Sequence, residues 1–120
     1  MSLVQSQHEF LHDVVELLSE AWSKGFIVTG GELYRTAEQQ QIYLDKGLSK
    51  TLNSRHLQRL AIDFNFFKIG LDHRLELVET KPKLQGLGDY WEALDSHNKW
   101  GGNFLSFPDL GHFERGPNDV

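Results

Sequence analysis

Apolar residues near the start of the chain recur every three or four positions. This spacing is that of one face of an α-helix. It predicts a helix over residues 6–24, which begins at a capping box formed by Ser6 and Glu9 and ends at Gly25. The apolar positions that define it are Phe10, Leu11, Val14, Leu17, Leu18, Ala21 and Trp22.

Alternation with a period of two predicts strands further along the chain. The apolar run at residues 26–29, broken by a glycine pair, is typical of a short strand. Residues 60–67 form the clearest strand, with one apolar face and one face that carries polar groups. The first face comprises Leu60, Ile62, Phe64 and Phe66, and the second Ala61, Asp63, Asn65 and Phe67. Two further strands are expected at residues 74–78 and 112–114.

Two more helices complete the pattern. The first begins at Thr36, with Gln39 as the partner in a capping box, and ends near Lys46 before Gly47. Polar residues then predict a loop over 47–55. The second is expected over 88–98, with Tyr90, Trp91 and Leu94 pointing inward, and a turn follows at Gly101-Gly102. The mixture predicts an α+β fold in one domain over residues 1–120, which is an ordinary length for a single domain.

Composition excludes several classes of protein. The net charge of −5, with scattered lysines and arginines, disfavours nucleic-acid binding. The absence of cysteine excludes disulfides and thiolate metal sites. No run of residues is long and apolar enough to span a membrane, and the N-terminus has no signal-peptide pattern. We therefore expect synthesis in the cytoplasm and no membrane partner.

Histidines are the strongest metal ligands that the composition leaves. His8-Glu9-Phe10-Leu11-His12 matches the helical H-E-x-x-H zinc motif literally. The segment lies at the N-terminal end, Glu9 is already explained as a capping residue, and no third ligand is obvious nearby. We interpret these two histidines as part of a solvated helix face.

A second group of residues is a better candidate for a metal site. His56 precedes the strand at 60–67, and Asp63 lies on its polar face. A carboxylate next to the bulky residues Phe64 and Phe66 is costly unless something compensates its charge, and a metal ion would do so. The alternative is an ordinary aspartate on an exposed sheet face, and these two residues alone do not decide between the two.

The segment Asp109-Leu110-Gly111-His112 supplies a third candidate ligand and a candidate base, which His56 and Asp63 lack. Catalytic zinc sites commonly have three protein ligands and a water, and a nearby carboxylate can take a proton from that water. We therefore predict that His56, Asp63 and His112 bind the metal and that Asp109 is the general base. The alternative for His112 is a core or surface histidine of a short strand.

With these residues identified, the chain resembles the M15 peptidase family, which includes D-alanyl-D-alanine carboxypeptidases and phage L-alanyl-D-glutamate endopeptidases. The family pattern Ser-x-His-x-x-Gly-x-Ala-x-Asp is matched by residues 54–63 except at the glycine, which is Arg59. Tyr34-Arg35-Thr36, Trp100-Gly101 and the acidic-x-x-His segment at 109–112 continue the likeness. It covers about residues 26–115, and it implies a Hedgehog- or DD-peptidase-like fold whose short, mostly antiparallel sheet is flanked by helices.

The resemblance also implies functions for particular residues. It makes His56, Asp63 and His112 the ligands of one zinc ion per chain and Asp109 the base. Arg35 would bind the scissile carbonyl, although a surface salt bridge is its alternative. Ser54, Gln39 and Trp100 would contact the substrate.

We expect an L-Ala-D-Glu endopeptidase of phage or prophage origin that acts as a monomer on peptidoglycan stem peptides. As an endolysin, it would reach the cell wall after release by a holin. One alternative is a D-Ala-D-Ala carboxypeptidase or dipeptidase. Another is a zinc-stabilised module that binds peptidoglycan without cutting it, for which Arg59 in place of the family glycine is the only support, since glycine there could serve a positive φ or a close backbone approach.

Overall fold

Helices and strands alternate along the part of the chain that the computed structural model describes, residues 2–49, 51 and 53–116. The three α-helices are α1 (Leu3–Ser23), α2 (Ala37–Asp45) and α3 (Lys81–Leu94). The five strands are β1 (Ile27–Gly30), β2 (Ala61–Ile69), β3 (Leu75–Leu77), β4 (Asn98–Trp100) and β5 (His112–Arg115). Two short 3₁₀ helices, Arg55–Gln58 and Gly101–Asn103, precede β2 and follow β4.

All the strand pairings are antiparallel, and β2 is the centre of the sheet. The strand order is β1-β2-β5-β4, and β3 also pairs with β2. The N-terminal part of β2 pairs with β5 through Ala61–Asp63, whereas β3 pairs with its C-terminal end at Phe67–Ile69. The predicted α+β fold with a short antiparallel sheet is thus confirmed.

The N-cap of helix α1, Ser2, lies four residues before the N-cap predicted from the sequence. Ser2 and Gln5 form the capping box, and Ser6 is a buried residue of the helix, so the prediction of a cap at Ser6 and Glu9 was wrong. Ser2 with Gln5 satisfies the same S-x-x-E/Q pattern one turn earlier. The end was predicted correctly, because Gly25 follows the helix with φ 83°.

The buried stripe of α1 is narrower than the apolar pattern suggested. Phe10, Val14, Leu17 and Ala21 are buried. Leu11 and Trp22 are 55% and 58% exposed. Each lies one residue after a buried position and is therefore rotated about 100° away from the core.

Helix α2 follows the prediction closely. The Thr36 hydroxyl accepts a hydrogen bond from the backbone nitrogen of Gln39 at 3.1 Å, which is one half of the predicted capping box. Gly47 follows the helix with φ 72°. In the predicted loop, residues 50 and 52 lie outside the described residues, and Arg55 belongs to a 3₁₀ helix.

Helix α3 was predicted seven residues too late. It begins at Lys81 because Pro82 fits the first helical turn, where a missing N–H costs nothing. It ends at Leu94, and Asn98, which was assigned to the helix, begins β4. Of the side chains predicted to point inward, Trp91 is fully buried, and Tyr90 and Leu94 are partly buried against the core.

Aromatic side chains join the helices to one face of the sheet. Phe10 of α1 contacts Trp91 of α3 edge to face at 5.6 Å, and Trp91 contacts Phe113 of β5 at 5.9 Å. Phe113 in turn packs on Phe66 of β2. Because side chains alternate along a strand, these anchors leave the neighbouring residues of β2 and β5 on the opposite face. That face carries the polar side chains Asp63, His112 and Glu114.

Candidate metal centre

Three predicted ligands meet on the polar face of the sheet. Asp63 of β2 lies directly opposite His112 of β5, and His56 comes from the 3₁₀ helix that precedes β2. Asp63 Oδ1 is 3.3 Å from His56 Nε2 and 3.1 Å from His112 Nδ1. The three candidate ligand atoms lie within 4.8 Å of one another, so residues separated by up to 56 positions form one cluster.

The His56 ring is oriented by the backbone. Its Nδ1 lies 3.0 Å from the carbonyl oxygen of Leu33, which can only accept, so Nδ1 carries the proton and Nε2 has a free lone pair. His56 is 1% exposed, and Nε2 makes no hydrogen bond within the described residues. The nearest carboxylate oxygen, Asp63 Oδ1, lies 3.3 Å from Nε2 without forming a hydrogen bond to it. A buried nitrogen in this state is a natural metal ligand.

The His112 ring is held between two carboxylates. Its Nε2 lies 2.8 Å from Glu114 Oε1, and its Nδ1 faces Asp63. Burial alone lowers the pKa of His112, but the hydrogen bonds to Asp63 and Glu114 outweigh it and raise this pKa to about 9. A ligating histidine whose other nitrogen donates to a carboxylate is a common arrangement at metal sites.

Asp63 remains ionised in this environment. Burial raises the pKa of Asp63, but the hydrogen bond with His112 and the closeness of the His56 ring hold this pKa well below its ordinary value. The carboxylate is therefore ready to bind a cation at any physiological pH.

The geometry fits a tetrahedral metal ion. Two imidazole nitrogens and one carboxylate oxygen form a donor set that zinc binds well. Ligand atoms at about 2.0 Å from a tetrahedral ion are separated by roughly 3.3 Å. The separations of 3.3 and 3.1 Å from Asp63 Oδ1 agree with this spacing, and the third separation, between the two histidine nitrogens, is at most 4.8 Å. Three protein ligands would leave a fourth position open.

The cluster opens into a cavity of about 750 Å³. Asp109, Arg35 and Ser54, which were predicted to be catalytic or substrate-binding, line it together with the three candidate ligands. Gln39 is half-buried on α2 and is not among the lining residues. Trp100 is fully buried and donates from its indole nitrogen to the Leu110 carbonyl, so the expected substrate contact is corrected to a structural role in the wall.

Arg35 is fixed by several partners at once. Its Nε is paired with Glu32, and one terminal nitrogen donates to Gln40 at 2.8 Å. Its guanidinium also lies over the Tyr43 ring, 4.6 Å from the centroid. The salt bridge considered as the alternative for Arg35 therefore exists, but it holds the guanidinium at the cavity wall, and the two interpretations are compatible.

Two glycines allow the Asp109 segment to approach the site. A Cβ at Gly101 would lie 2.3 Å from the Asp109 carbonyl oxygen, and a Cβ at Gly111 would lie 2.4 Å from the Phe64 carbonyl oxygen. Such contacts are too short for any side chain. The Asp109 backbone nitrogen donates to the Gly101 carbonyl at 2.9 Å, which ties the segment to the 3₁₀ helix after β4.

Arg59, at the position of the family glycine, has the backbone conformation that glycine favours. Its φ of 56° and ψ of 37° are left-handed. Its guanidinium stacks on the Tyr34 ring at 4.5 Å, and Arg59 does not line the cavity. The chain thus accepts a strained residue at this position without placing a side chain in the site.

Sequence reasoning missed three residues that support the site. Glu114 fixes His112, Glu32 fixes Arg35, and Gln40, which is fully buried, bonds both Arg35 and Ser49. Only Glu114 had a usable signal, because two residues at alternate positions of the strand predicted over 112–114 lie on the same face, and the other one is His112. Gln39 and Gln40 are neighbours on α2, and only their different positions around the helix axis make Gln40 buried and Gln39 half-buried.

Comparisons with known proteins agree with this geometry. Residues 47–115 match the model of an M15 peptidase family described as D-alanyl-D-alanine carboxypeptidase. The crystal structure of the L-Ala D-Glu endopeptidase ChiX of Serratia marcescens is similar in fold, with a TM-score of 0.64 and 20% sequence identity over 95% of this chain and 88% of that chain. No curated protein sequence matches the chain. Because the matched residues span more than half of the 120, the chain belongs to the M15 peptidase family.

Proposed function

We propose that this protein is a zinc-dependent endopeptidase that hydrolyses the L-Ala–D-Glu bond of peptidoglycan stem peptides. The observation that carries the proposal is the cluster of His56, Asp63 and His112, whose ligand atoms lie within 4.8 Å of one another in a cavity also lined by Arg35 and Asp109. Membership of a peptidase family supports hydrolysis of peptides. The fold shared with an L-Ala D-Glu endopeptidase supports the choice of bond.

In this mechanism a zinc ion would activate the carbonyl and the water, and side chains of the protein would transfer the proton and bind the oxyanion. A zinc ion at the cluster would polarise the scissile carbonyl and lower the pKa of a bound water. The Asp109 carboxylate is exposed at the cavity and would accept the proton of the attacking water, then return it to the leaving amine. Arg35 would donate hydrogen bonds to the carbonyl oxygen as it gains negative charge, and its fixed position limits the reorganisation this needs.

The fold comparison supports the endopeptidase over the carboxypeptidase, because the neighbour of similar fold is an L-Ala D-Glu endopeptidase. The family description supports D-Ala-D-Ala carboxypeptidase activity as the second candidate.

The position of Arg59 argues against a module that only binds peptidoglycan. The Arg59 side chain stacks on Tyr34, and Arg59 is not among the residues that line the cavity. The arginine that replaces the family glycine therefore does not obstruct the site. The proposed ligands, the proposed base and Arg35 all line one cavity, which supports an active enzyme.

The biological setting follows from the proposed substrate and from the motif resemblance. Stem peptides belong to the cell wall, so we propose that the protein acts there, as a monomeric endolysin of phage or prophage origin. Its motifs lie within about residues 26–115 of a single domain over residues 1–120. None of the described helices is long and apolar enough to cross a membrane.

Digestion of purified peptidoglycan by the wild type and Asp109→Ala tests the proposal, with zinc measured in both proteins. We expect about one zinc per chain in each protein. The wild type should release new L-Ala carboxyl ends and D-Glu amino ends. Asp109→Ala should lose about 10²- to 10⁴-fold in rate because it lacks the base. Release of free D-alanine instead would select the carboxypeptidase, and a wild type that holds zinc but cuts nothing would contradict both.

A further inference from the structure

The charges that line the first cavity are mostly paired within the protein. Its carboxylates include Asp63, which contacts both histidine ligands, and Glu114, which contacts His112. Glu32 pairs with Arg35. These contacts satisfy the cluster and fix Arg35. Among the described residues that line the cavity, they leave one cation without a charged partner.

That cation is Arg55. It is half-buried at the cavity wall, and its guanidinium donates one hydrogen bond, to Gln58 Oε1 at 2.9 Å. Within the residues that the structure describes, no carboxylate lies within 4.0 Å of it, although Arg35 in the same wall is paired. A guanidinium presents five N–H donors in a planar fork that matches a carboxylate, so most of the donors of Arg55 remain for a ligand.

The backbone places Arg55 beside the metal cluster. It directly precedes the ligand His56 in the 3₁₀ helix Arg55–Gln58, which Ser54 caps by accepting from the His56 nitrogen. The Arg55 carbonyl accepts from Leu60 at 3.0 Å at the other end of the helix. Arg55 also lines the same cavity as the three candidate ligands, so the cation faces the space next to the metal cluster.

We propose that Arg55 determines specificity by binding the free carboxylate of the glutamyl residue next to the scissile bond. This inference rests on the proposed function. A glutamyl residue within a peptide chain has two carboxyl groups, and one of them stays free whichever is linked. In an L-Ala–D-Glu substrate that charge lies one residue from the bond that is cut, within reach of Arg55, and a bidentate pair in a partly desolvated cavity is strong and directional.

The experiment compares two stem peptides that differ only at this group, a carboxylate in one and a carboxamide in the other. For the wild type, we expect amidation to lower kcat/KM by about 10- to 100-fold, mainly through KM, because a hydrogen-bonded charge pair is lost. Arg55→Gln should show a loss of similar size on the carboxylate peptide and discriminate less than about threefold between the two. Arg55→Lys should recover part of the discrimination, because it restores the charge without the fork.

Arg74→Gln is the matched control, because Arg74 is an exposed arginine that does not line the cavity. It should discriminate like the wild type, and all four proteins should contain equal zinc. Equal cleavage of both peptides by the wild type, or undiminished discrimination by Arg55→Gln, would overturn the assignment of Arg55 and leave the endopeptidase intact. A wild type that cuts neither peptide would overturn the proposed function, and the assignment with it.

Discussion

The histidines His8 and His12 are close in sequence, whereas His56 and His112 come together only in the folded structure. His8 and His12 match the H-E-x-x-H zinc motif, yet both are exposed on α1 and belong to no ligand cluster among the described residues. His56 and His112 are 56 positions apart, yet they are buried and both contact Asp63. A metal site is thus recognised by what holds each ring, and spacing along a helix is not sufficient.

The difference lies in the contacts of the second ring nitrogen. His56 Nδ1 is held by the Leu33 carbonyl, and His112 Nε2 by Glu114. Each ring therefore presents one defined nitrogen towards Asp63 at little cost in side-chain entropy. The rings of His8 and His12 are exposed, and ordering them around an ion would cost that entropy in full.

The largest expected effect comes from removing the ligands. His56→Gln and His112→Gln should each lose the bound zinc and lower peptidoglycan hydrolysis by at least about 10³-fold, since the metal supplies several kcal/mol of transition-state stabilisation. The double variant His8→Gln/His12→Gln should keep both zinc and activity. Metal analysis and digestion assays on the three proteins show which pair of histidines binds zinc. Zinc lost from the double variant alone would identify His8 and His12 as the ligands instead.

The next effect is the pH dependence of metal binding. In the metal-free protein the pKa of His112 is raised to about 9, so below that pH a zinc ion must displace a proton from this ring. The apparent zinc affinity should fall about tenfold for each pH unit below 9, that is, about 100-fold between pH 9 and 7. Competition titrations with a chelator of known affinity measure this slope. An affinity that stays constant until pH 6.5 would mean that the carboxylates do not raise the pKa of His112.

Glu114 supports the buried pair and offers a smaller test. Glu114→Ala removes the acceptor of the His112 Nε2 proton and should weaken zinc binding by about 10- to 100-fold. Glu9→Ala is the control, because Glu9 lies between the two exposed histidines and should have no effect. Equal zinc affinity in both variants would show that His112 needs no carboxylate behind it.

The strand pattern predicted the part of the fold that carries the site. The alternation over residues 60–67 identified Leu60, Phe64 and Phe66 as buried and placed Asp63 on the other face. The sequence did not predict β4, because three residues at the end of a helix-like segment have no period of their own. It placed α3 too late because Gly86 and Gly88 weaken the helical pattern in the turns that follow Pro82.

The residues of the His56, Asp63 and His112 cluster could be identified from chemistry and motif, but their supporting contacts could not. Glu32 and Gln40 reach Arg35 through side chains whose directions depend on how β1, α2 and the loop after α2 pack together. Gln39 and Gln40 have the same chemistry, so composition cannot separate the buried one from its neighbour. Trp100 belongs to a motif shared with peptidases, and only its complete burial shows that it supports the wall.

The smallest expected effect concerns Arg59. This residue lies within the motif that carries His56 and Asp63, but its side chain does not line the cavity. Replacing it with glycine and with alanine separates its two properties, because both variants lose the stacking on Tyr34 and only glycine relieves the left-handed φ of 56°. Arg59→Gly should therefore have a free energy of unfolding about 1 kcal/mol above that of Arg59→Ala in urea denaturation. Relative to the wild type, the glycine variant should differ by less than about 1 kcal/mol, since strain relief and the lost cation–π contact offset each other. Zinc content and kcat/KM should stay within about twofold in both variants, because the side chain lies outside the cavity. A tenfold change in kcat/KM at unchanged zinc content would show instead that this position shapes the reaction, and the family glycine would then be a functional residue.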